Sequence, residues 1–252
     1  SPGISLKQEG ISYCAGAMLP CVILNVMRGG PGLGNIQASQ GDYFQSVKGG
    51  GHGDYKLIVF GPDSVQEAID IVYGAFDIAD KYRTPVMILA DGLIGQMMEP
   101  VTMPEFKSDE EIKVEKPWAA TGWHEGCGRP RAIINSLYIE DEALEALHER
   151  LQARYRIIEQ NEVRYEYYNI EDAEVILIAY GTISRVCRSA IDELAEEGIK
   201  VGMVRPITLW PFPSQAVLDA VAQPSVKKAL AVEISAGQMV EDARLAVNGL
   251  KE

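Results

Sequence analysis

Histidine and cysteine are scarce, with three of the first and four of the second among 252 residues. Cys14, Cys21, Cys127 and Cys187 lie far apart, form no C-x-x-C pair and have no histidine at zinc-ligand spacing. Neither a metal site nor a disulfide framework is expected, and iron–sulfur ligation by this chain is not expected either. Cys21, inside an apolar run, and Cys187, on the apolar stripe of an expected helix, read as small core residues. Positive charge is also in deficit: 23 Lys and Arg face 36 Asp and Glu, a formal charge of -13. Such a balance repels phosphate backbones and anionic membranes at long range, so no nucleic-acid partner is expected and the acidity serves solubility. No run approaches the roughly 18 to 20 apolar residues of a membrane-spanning helix. The opening ten residues lack the basic and apolar regions of a signal peptide, which makes a cytoplasmic protein the expectation. Internal repeats and low-complexity tracts are missing as well.

What is present is an ordinary globular balance, 47% hydrophobic and 23% charged, enough for one large domain or two small ones. Three short apolar runs, Cys21 to Met27, Lys56 to Phe60 and Pro85 to Ala90, have strand length and little alternation, as in a parallel sheet with helices on both faces. Ser64 and Glu67 form an S-x-x-E capping box that opens a helix joining the second and third runs. Val65, Ala68, Ile69, Val72, Ala75, Phe76 and Ala79 keep helical spacing along it. The unit is β-α-β with a right-handed crossover. Val101 to Glu115 has no stable period, and Pro117 to Arg131 is rich in Gly, Trp, Arg and Pro, so both read as loops. A helix follows from about Asp141 to Gln160, with Leu144, Leu147, Leu151, Tyr155 and Ile158 near one face. A second β-α-β series comprises a strand Val175 to Tyr180, a helix bearing Ile183, Val186, Ala190 and Leu194, and a strand Lys200 to Val204. Ser214 to Val221 is expected as a helix and Lys228 to Ile234 as a strand. The expected fold class is α/β, with two doubly wound, mostly parallel sheet domains joined by an irregular linker and a helix. The expected boundaries are 1–105, 106–170 and 171–252.

Asn25-Val-Met-Arg-Gly-Gly-Pro-Gly-Leu-Gly34 follows the first run directly, so Arg28 stands where a strand gives way to a glycine-rich loop. In open α/β sheets ligands bind at that edge. A planar guanidinium there suits a carboxylate or phosphate, although an arginine on a turn paired with a surface carboxylate fits the pattern equally well. The loop has neither a G-x-x-x-x-G-K-[ST] nor a G-x-G-x-x-G spacing, which weakens nucleotide phosphate binding. Lys48-Gly-Gly-Gly-His-Gly-Asp-Tyr55 makes a poor strand or helix, and His52 in it can donate a hydrogen bond, shuttle a proton or simply satisfy loop backbone. Asp91 ends the third run either facing the edge of Arg28 or, as Asp-Gly usually does, capping the following turn, which is preferred.

Four segments in order resemble the pyrimidine-binding domain of 2-oxoacid:ferredoxin oxidoreductase α subunits. They are Arg28-Gly-Gly-Pro-Gly-Leu-Gly34, Lys48-Gly-Gly-Gly-His-Gly-Asp-Tyr55, Gly61-Pro-Asp-Ser-Val-Gln-Glu-Ala68 and Pro85-Val-Met-Ile-Leu-Ala-Asp-Gly92. Val175-Ile-Leu-Ile-Ala-Tyr-Gly-Thr182, Val204-Arg-Pro-Ile-Thr-Leu-Trp-Pro-Phe-Pro213 and Val232-Glu-Ile-Ser-Ala-Gly-Gln238 are similar to the C-terminal domain shared with transketolases and the β chains of 2-oxoacid dehydrogenases. The Lys48 to Tyr55 loop is more similar to the branched-chain, 2-oxoisovalerate subgroup than to the 2-oxoglutarate subgroup.

The resemblance implies a thiamine-diphosphate-dependent oxidative decarboxylation of a 2-oxoacid, with electrons passed to ferredoxin and the acyl group to coenzyme A. It implies Arg28 at the substrate carboxylate; Gly29, Gly30 and His52 are expected as further substrate-binding residues, and no catalytic residue is expected in this chain. Thiamine diphosphate would be shared with a partner β subunit, while magnesium and the iron–sulfur clusters would belong to partners, including possible γ and δ subunits. The family's substrate loop and the glutamate that contacts the aminopyrimidine have no counterpart in this sequence. The chain is therefore expected to be truncated at its N-terminus, to end early at Lys251-Glu252 and to be inactive alone. The alternatives are a transketolase-like or dehydrogenase β-type subunit and a non-catalytic α/β assembly subunit.

Overall fold

The computed structural model describes residues 1–112 and 116–250, so the end of the Val101 to Glu115 stretch and the terminal Lys251-Glu252 lie outside the described residues. In chain order the elements are α1 (Pro2–Gly16), β1 (Cys21–Met27), α2 (Tyr43–Val47), β2 (Ile58–Phe60), α3 (Val65–Tyr82), β3 (Pro85–Asp91), α4 (Asp109–Ile112) and α5 (Asp141–Asn161). There follow β4 (Tyr165–Tyr168), β5 (Val175–Ile178), α6 (Thr182–Glu196), β6 (Val201–Pro206), β7 (Thr208–Trp210), α7 (Ser214–Val221), β8 (Lys228–Ala231) and α8 (Met239–Val247).

Two four-stranded sheets result, ordered β1-β3-β2-β7 and β4-β6-β5-β8. In the first, β1, β3 and β2 are parallel and β7 closes one side antiparallel to β2. In the second, β6, β5 and β8 are parallel and β4 is antiparallel to β6. The expected α/β class with two mostly parallel sheets is what forms.

The apolar runs explain the layering. All seven residues of β3 are buried. Val86 and Ile88 join Ile58, Phe60, the buried side of α3 and Leu147, Leu151, Tyr155 and Ile158 of α5. Met87 and Leu89 face the other way, toward α1, Tyr43 and a core that continues through Tyr180 to Ile176 and Ile178 of the second sheet. The far face of that sheet is covered by α6 through Cys187 and Ile191. Helices thus clothe both faces of a parallel sheet, and strands buried on both sides lose the alternation of a half-exposed strand.

Three expectations need correction. In α3 the buried stripe is Ile71, Ala75, Ile78, Ala79 and Tyr82, and Phe76 is 57% exposed. The helix is apolar around much of its girth, and the larger Ile and Tyr side chains settle which side meets the sheet. On the edge strand β1, Leu24 is 61% exposed, so one face of that strand lacks the expected helical cover. Cys21 is half-buried, whereas Cys187 is buried as expected. Burial, and then Cys21 alongside, pushes the Cys14 thiol up.

Candidate functional site

Arg28 stands at the C-terminal end of β1, and the register pairs the preceding Met27 with Asp91 at the end of β3. The chain then turns through a closed loop. Gly29 N–H donates to Gln37 O at 3.0 Å, and Asn35 N–H donates to Gly29 O at 3.1 Å. Arg28 meets Ala38 in an antiparallel bridge. Gly34 has φ +54, and a Cβ there would run into the Gly29 carbonyl, so glycine is required by both conformation and space.

The Arg28 guanidinium curls over this loop. Its Nη1 donates to the carbonyls of Asn35 at 2.8 Å, of Gly29 at 3.4 Å and of Leu33. No carboxylate of the chain forms an ion pair with it among the described residues. A half-buried cation held by neutral carbonyls keeps its charge uncompensated, and Nη2 and Nε remain for an incoming anion. Gly29 and Gly30 lie on the same rim.

Asp91 Oδ1 accepts from Leu93 N–H at 2.9 Å and Ile94 N–H at 3.2 Å, the capping role preferred from the sequence. The same carboxylate reaches across to the second sheet: a Cβ on Gly181 would lie 3.8 Å from Asp91 Oδ2. The strand ends of both sheets therefore meet at one seam, with the segment after the Arg28 loop running between them.

His52 is elsewhere. Ser1 Oγ contacts the Arg28 backbone, while Ser12 Oγ donates to His52 O at 2.9 Å. Ser12 lies eleven residue steps beyond Ser1, the residue that caps α1, about 16 Å along a helix axis. The loop holding His52 precedes β2, so it belongs to the N-terminal edge of the sheet, opposite to Arg28. There His52 lines a cavity of about 200 Å³ with Ser12, Tyr13, Tyr55, Leu147 and His148. Of the expected substrate-binding residues the structure brings Arg28, Gly29 and Gly30 together at one edge of the sheet and places His52 apart from them. The signal was in the order of elements, since the loops before and after parallel strands lie on opposite edges.

Sequence reasoning passed over two features of the seam. Gln40, fully buried, hydrogen-bonds the second sheet. Arg205, 4% exposed, forms a two-pronged ion pair with Glu67, at 2.8 Å on each side. The capping box is thereby only half formed. Ser64 Oγ accepts from Glu67 N–H at 3.2 Å, but the Glu67 carboxylate takes Asp63 N–H at 2.8 Å and the guanidinium. An arginine inside the apolar strand Val201-Gly-Met-Val-Arg-Pro206 was the readable sign of a buried pair.

Comparison with known proteins agrees with this architecture. Residues 1–162 match the family "Pyruvate flavodoxin/ferredoxin oxidoreductase, thiamine diP-bdg", and residues 173–252 match "Pyruvate:ferredoxin oxidoreductase core domain II". The ketoisovalerate oxidoreductase subunit VorB of Methanothermobacter marburgensis is 50% identical over 97% of this chain and 68% of its own length. The 2-oxoglutarate synthase subunit KorA of Methanocaldococcus jannaschii is 33% identical over 94% of this chain and 69% of its own length. A solved 2-oxoglutarate:ferredoxin oxidoreductase from Magnetococcus marinus shares the fold, with TM-score 0.79 and 24% identity over 98% of this chain and 47% of that chain. The strand-edge arginine loop, the two mostly parallel sheets and these matches converge: the chain belongs to the pyruvate flavodoxin/ferredoxin oxidoreductase family, whose 2-oxoacid:ferredoxin oxidoreductase subunits its motifs resemble.

Proposed function

We propose that this chain is the α subunit of a thiamine-dependent 2-oxoacid:ferredoxin oxidoreductase that favours 2-oxoisovalerate, with 2-oxoglutarate next. The observation that carries the substrate choice is the gap between 50% identity to a ketoisovalerate oxidoreductase subunit and 33% to a 2-oxoglutarate synthase subunit. In this reading Arg28 binds the substrate carboxylate with Nη2 and Nε, and the Gly29–Gly30 rim lets the acid approach the backbone. The carbonyls of Leu33, Asn35 and Gly29 hold the guanidinium in place, so part of its entropy is lost before substrate arrives. His52 is outside this site.

Thiamine diphosphate, when bound, supplies the nucleophilic carbon for attack on the 2-oxo carbon. The residues at this edge fit the acid better than the cofactor. Asp91 has Oδ1 committed to two amides, and among the described residues no three His, Cys, Asp or Glu side chains group to hold a metal ion. In the same proposal the diphosphate and its magnesium belong to a β subunit, the iron–sulfur clusters to partner subunits, and ferredoxin and coenzyme A to the complete enzyme. The division 1–105, 106–170 and 171–252, a cytoplasmic location and inactivity of the isolated chain are parts of the same proposal. No helix among the described residues is long and apolar enough to cross a membrane.

The test is the rate of viologen or ferredoxin reduction by the complete enzyme. Faster reduction with 2-oxoisovalerate than with 2-oxoglutarate is expected, and the reverse ranking overturns the substrate assignment.

A further inference from the structure

The loop that carries Arg28 is fastened at both ends to different sheets. At its start it continues β1. At its end Ile36 to Ala38 pass over Gly92, where a Cβ would come within 3.5 Å of the Ile36 carbonyl and the Ala38 backbone. The chain then enters the seam. Ser39 Oγ donates to Ile234 O at 3.4 Å, and Gln40 N–H donates to the same carbonyl at 2.8 Å. The Gln40 side chain completes the attachment: Oε1 accepts from Ile234 N–H at 2.9 Å, and Nε2 donates to Tyr180 O at 2.9 Å. Gln40 is 0% exposed, so its amide has no water to fall back on. Tyr180 follows β5 and Ile234 follows β8, so both lie at the C-terminal ends of neighbouring parallel strands of the second sheet. Gln238 answers from the other side, with Nε2 donating to Gly41 O and Oε1 accepting from Phe44 N–H, both at 2.8 Å.

Resting on the proposed role of Arg28, we infer that Gln40 is a positioning residue through which the second sheet sets the Arg28 loop, so that affinity for the 2-oxoacid depends on the C-terminal domain. Gln40 touches no substrate in this arrangement. It anchors the chain two residues after Ala38, Ala38 bridges Arg28, and the loop carbonyls orient the guanidinium. Misplacing a charge-binding group by about 1 Å is enough to weaken binding strongly.

The experiment compares Gln40→Met, Gln40→Asn and Arg28→Ala in the complete enzyme. Gln40→Met keeps volume and the backbone hydrogen bond but removes both side-chain bonds, and Gln40→Asn is one methylene short of both partners. Each is expected to raise the KM for 2-oxoisovalerate about tenfold with kcat within about twofold, because ground-state and transition-state binding weaken together. The KM for coenzyme A should not move, and hydrogen exchange at the Gly29 and Asn35 amides should quicken. A purely structural role would lower kcat and raise every KM in step, which overturns the inference. If Arg28→Ala raises the 2-oxoacid KM while both Gln40 variants leave it unchanged, the positioning role fails and the Arg28 site survives. If Arg28→Ala itself has no effect, the Arg28 site fails and the inference falls with it. Should Gln40→Met not assemble, Gln40→Asn decides alone.

Discussion

Arg28 illustrates how much a single position can say. A cation directly after an apolar run, before Gly29 and Gly30, announces a strand-end ligand group, and the structure puts it there. Removing it should leave the anion without its charged partner and the loop carbonyls of Leu33 and Asn35 without their donor. Arg28→Ala in the complete enzyme is expected to raise the 2-oxoisovalerate KM by an amount worth about 2 to 5 kcal/mol. Arg28→Lys should recover only part of that, since a point charge cannot serve the carbonyls and the acid together. Initial rates of viologen reduction against 2-oxoacid concentration measure both, and an unchanged KM in Arg28→Ala removes the residue from the site. The inward hydrogen bonds of Arg28 were not legible, because carbonyl directions depend on the path of the loop. The placement of His52 away from Arg28 was legible in principle from chain order, since its loop precedes a parallel strand and that of Arg28 follows one.

Elements with strong periodicity or length were readable: α5, α6 and α7 fall close to their expected spans, and β1, β3 and β5 begin at the expected residues. Those that were missed depend on tertiary partners. β7 is three residues paired antiparallel to β2, and β4 owes its existence to β6. In α1 the buried positions Ile4, Gln8, Ile11 and Ala15 have helical spacing, yet the polar Gln8 interrupts the apolar stripe. Gln8 is explained by the loop it supports, since a Cβ on Gly50 or Gly51 would collide with it. Gly202 makes a sharper case within β6. A Cβ there would sit 2.7 Å from Asn169 O and 2.8 Å from Ile170 Cα, both backbone atoms with little room to move. Gly202→Ala is therefore expected to destabilise the chain by about 1 to 3 kcal/mol, read as a lower urea midpoint. A midpoint equal to wild type would show that the crossing over β6 is loose.

At the scale of the whole molecule, the two sheets are joined by a mostly buried charge cluster as well as by a shared core. Arg205 of β6 meets Glu67 at 2.8 Å, Glu166 at 3.0 Å and Asp63 at 3.4 Å, while Arg188 of α6 meets Glu166 at 2.7 Å and Asp63 at 3.3 Å. Three carboxylates thus share two guanidinium groups, and they cannot all be equally satisfied. Burial pushes the Asp63 carboxyl up, and the neighbouring Glu67 adds to this against the pull of Arg205 and Arg188. Glu67 also feels burial, but the hydrogen bonds and charge of Arg205 outweigh it and hold its carboxyl below the usual range. The two therefore act with opposite sign. The lowered Glu67 contributes stability that is present above the ordinary glutamate range and lost as pH falls through its folded value. The raised Asp63 contributes stability that is present below the ordinary aspartate range and lost as pH rises through its folded value. At neutral pH Glu67→Gln should cost about 3 kcal/mol, because Arg205 loses its best partner while still buried. Asp63→Asn should cost little or stabilise, since it removes the charge that the cluster holds least well. Urea unfolding across a pH series separates them: Glu67→Gln should flatten the loss of stability in acid, and Asp63→Asn should raise the neutral end. Equal costs for the two at neutral pH would mean that Asp63 anchors the second sheet to the first through Arg205 as much as Glu67 does.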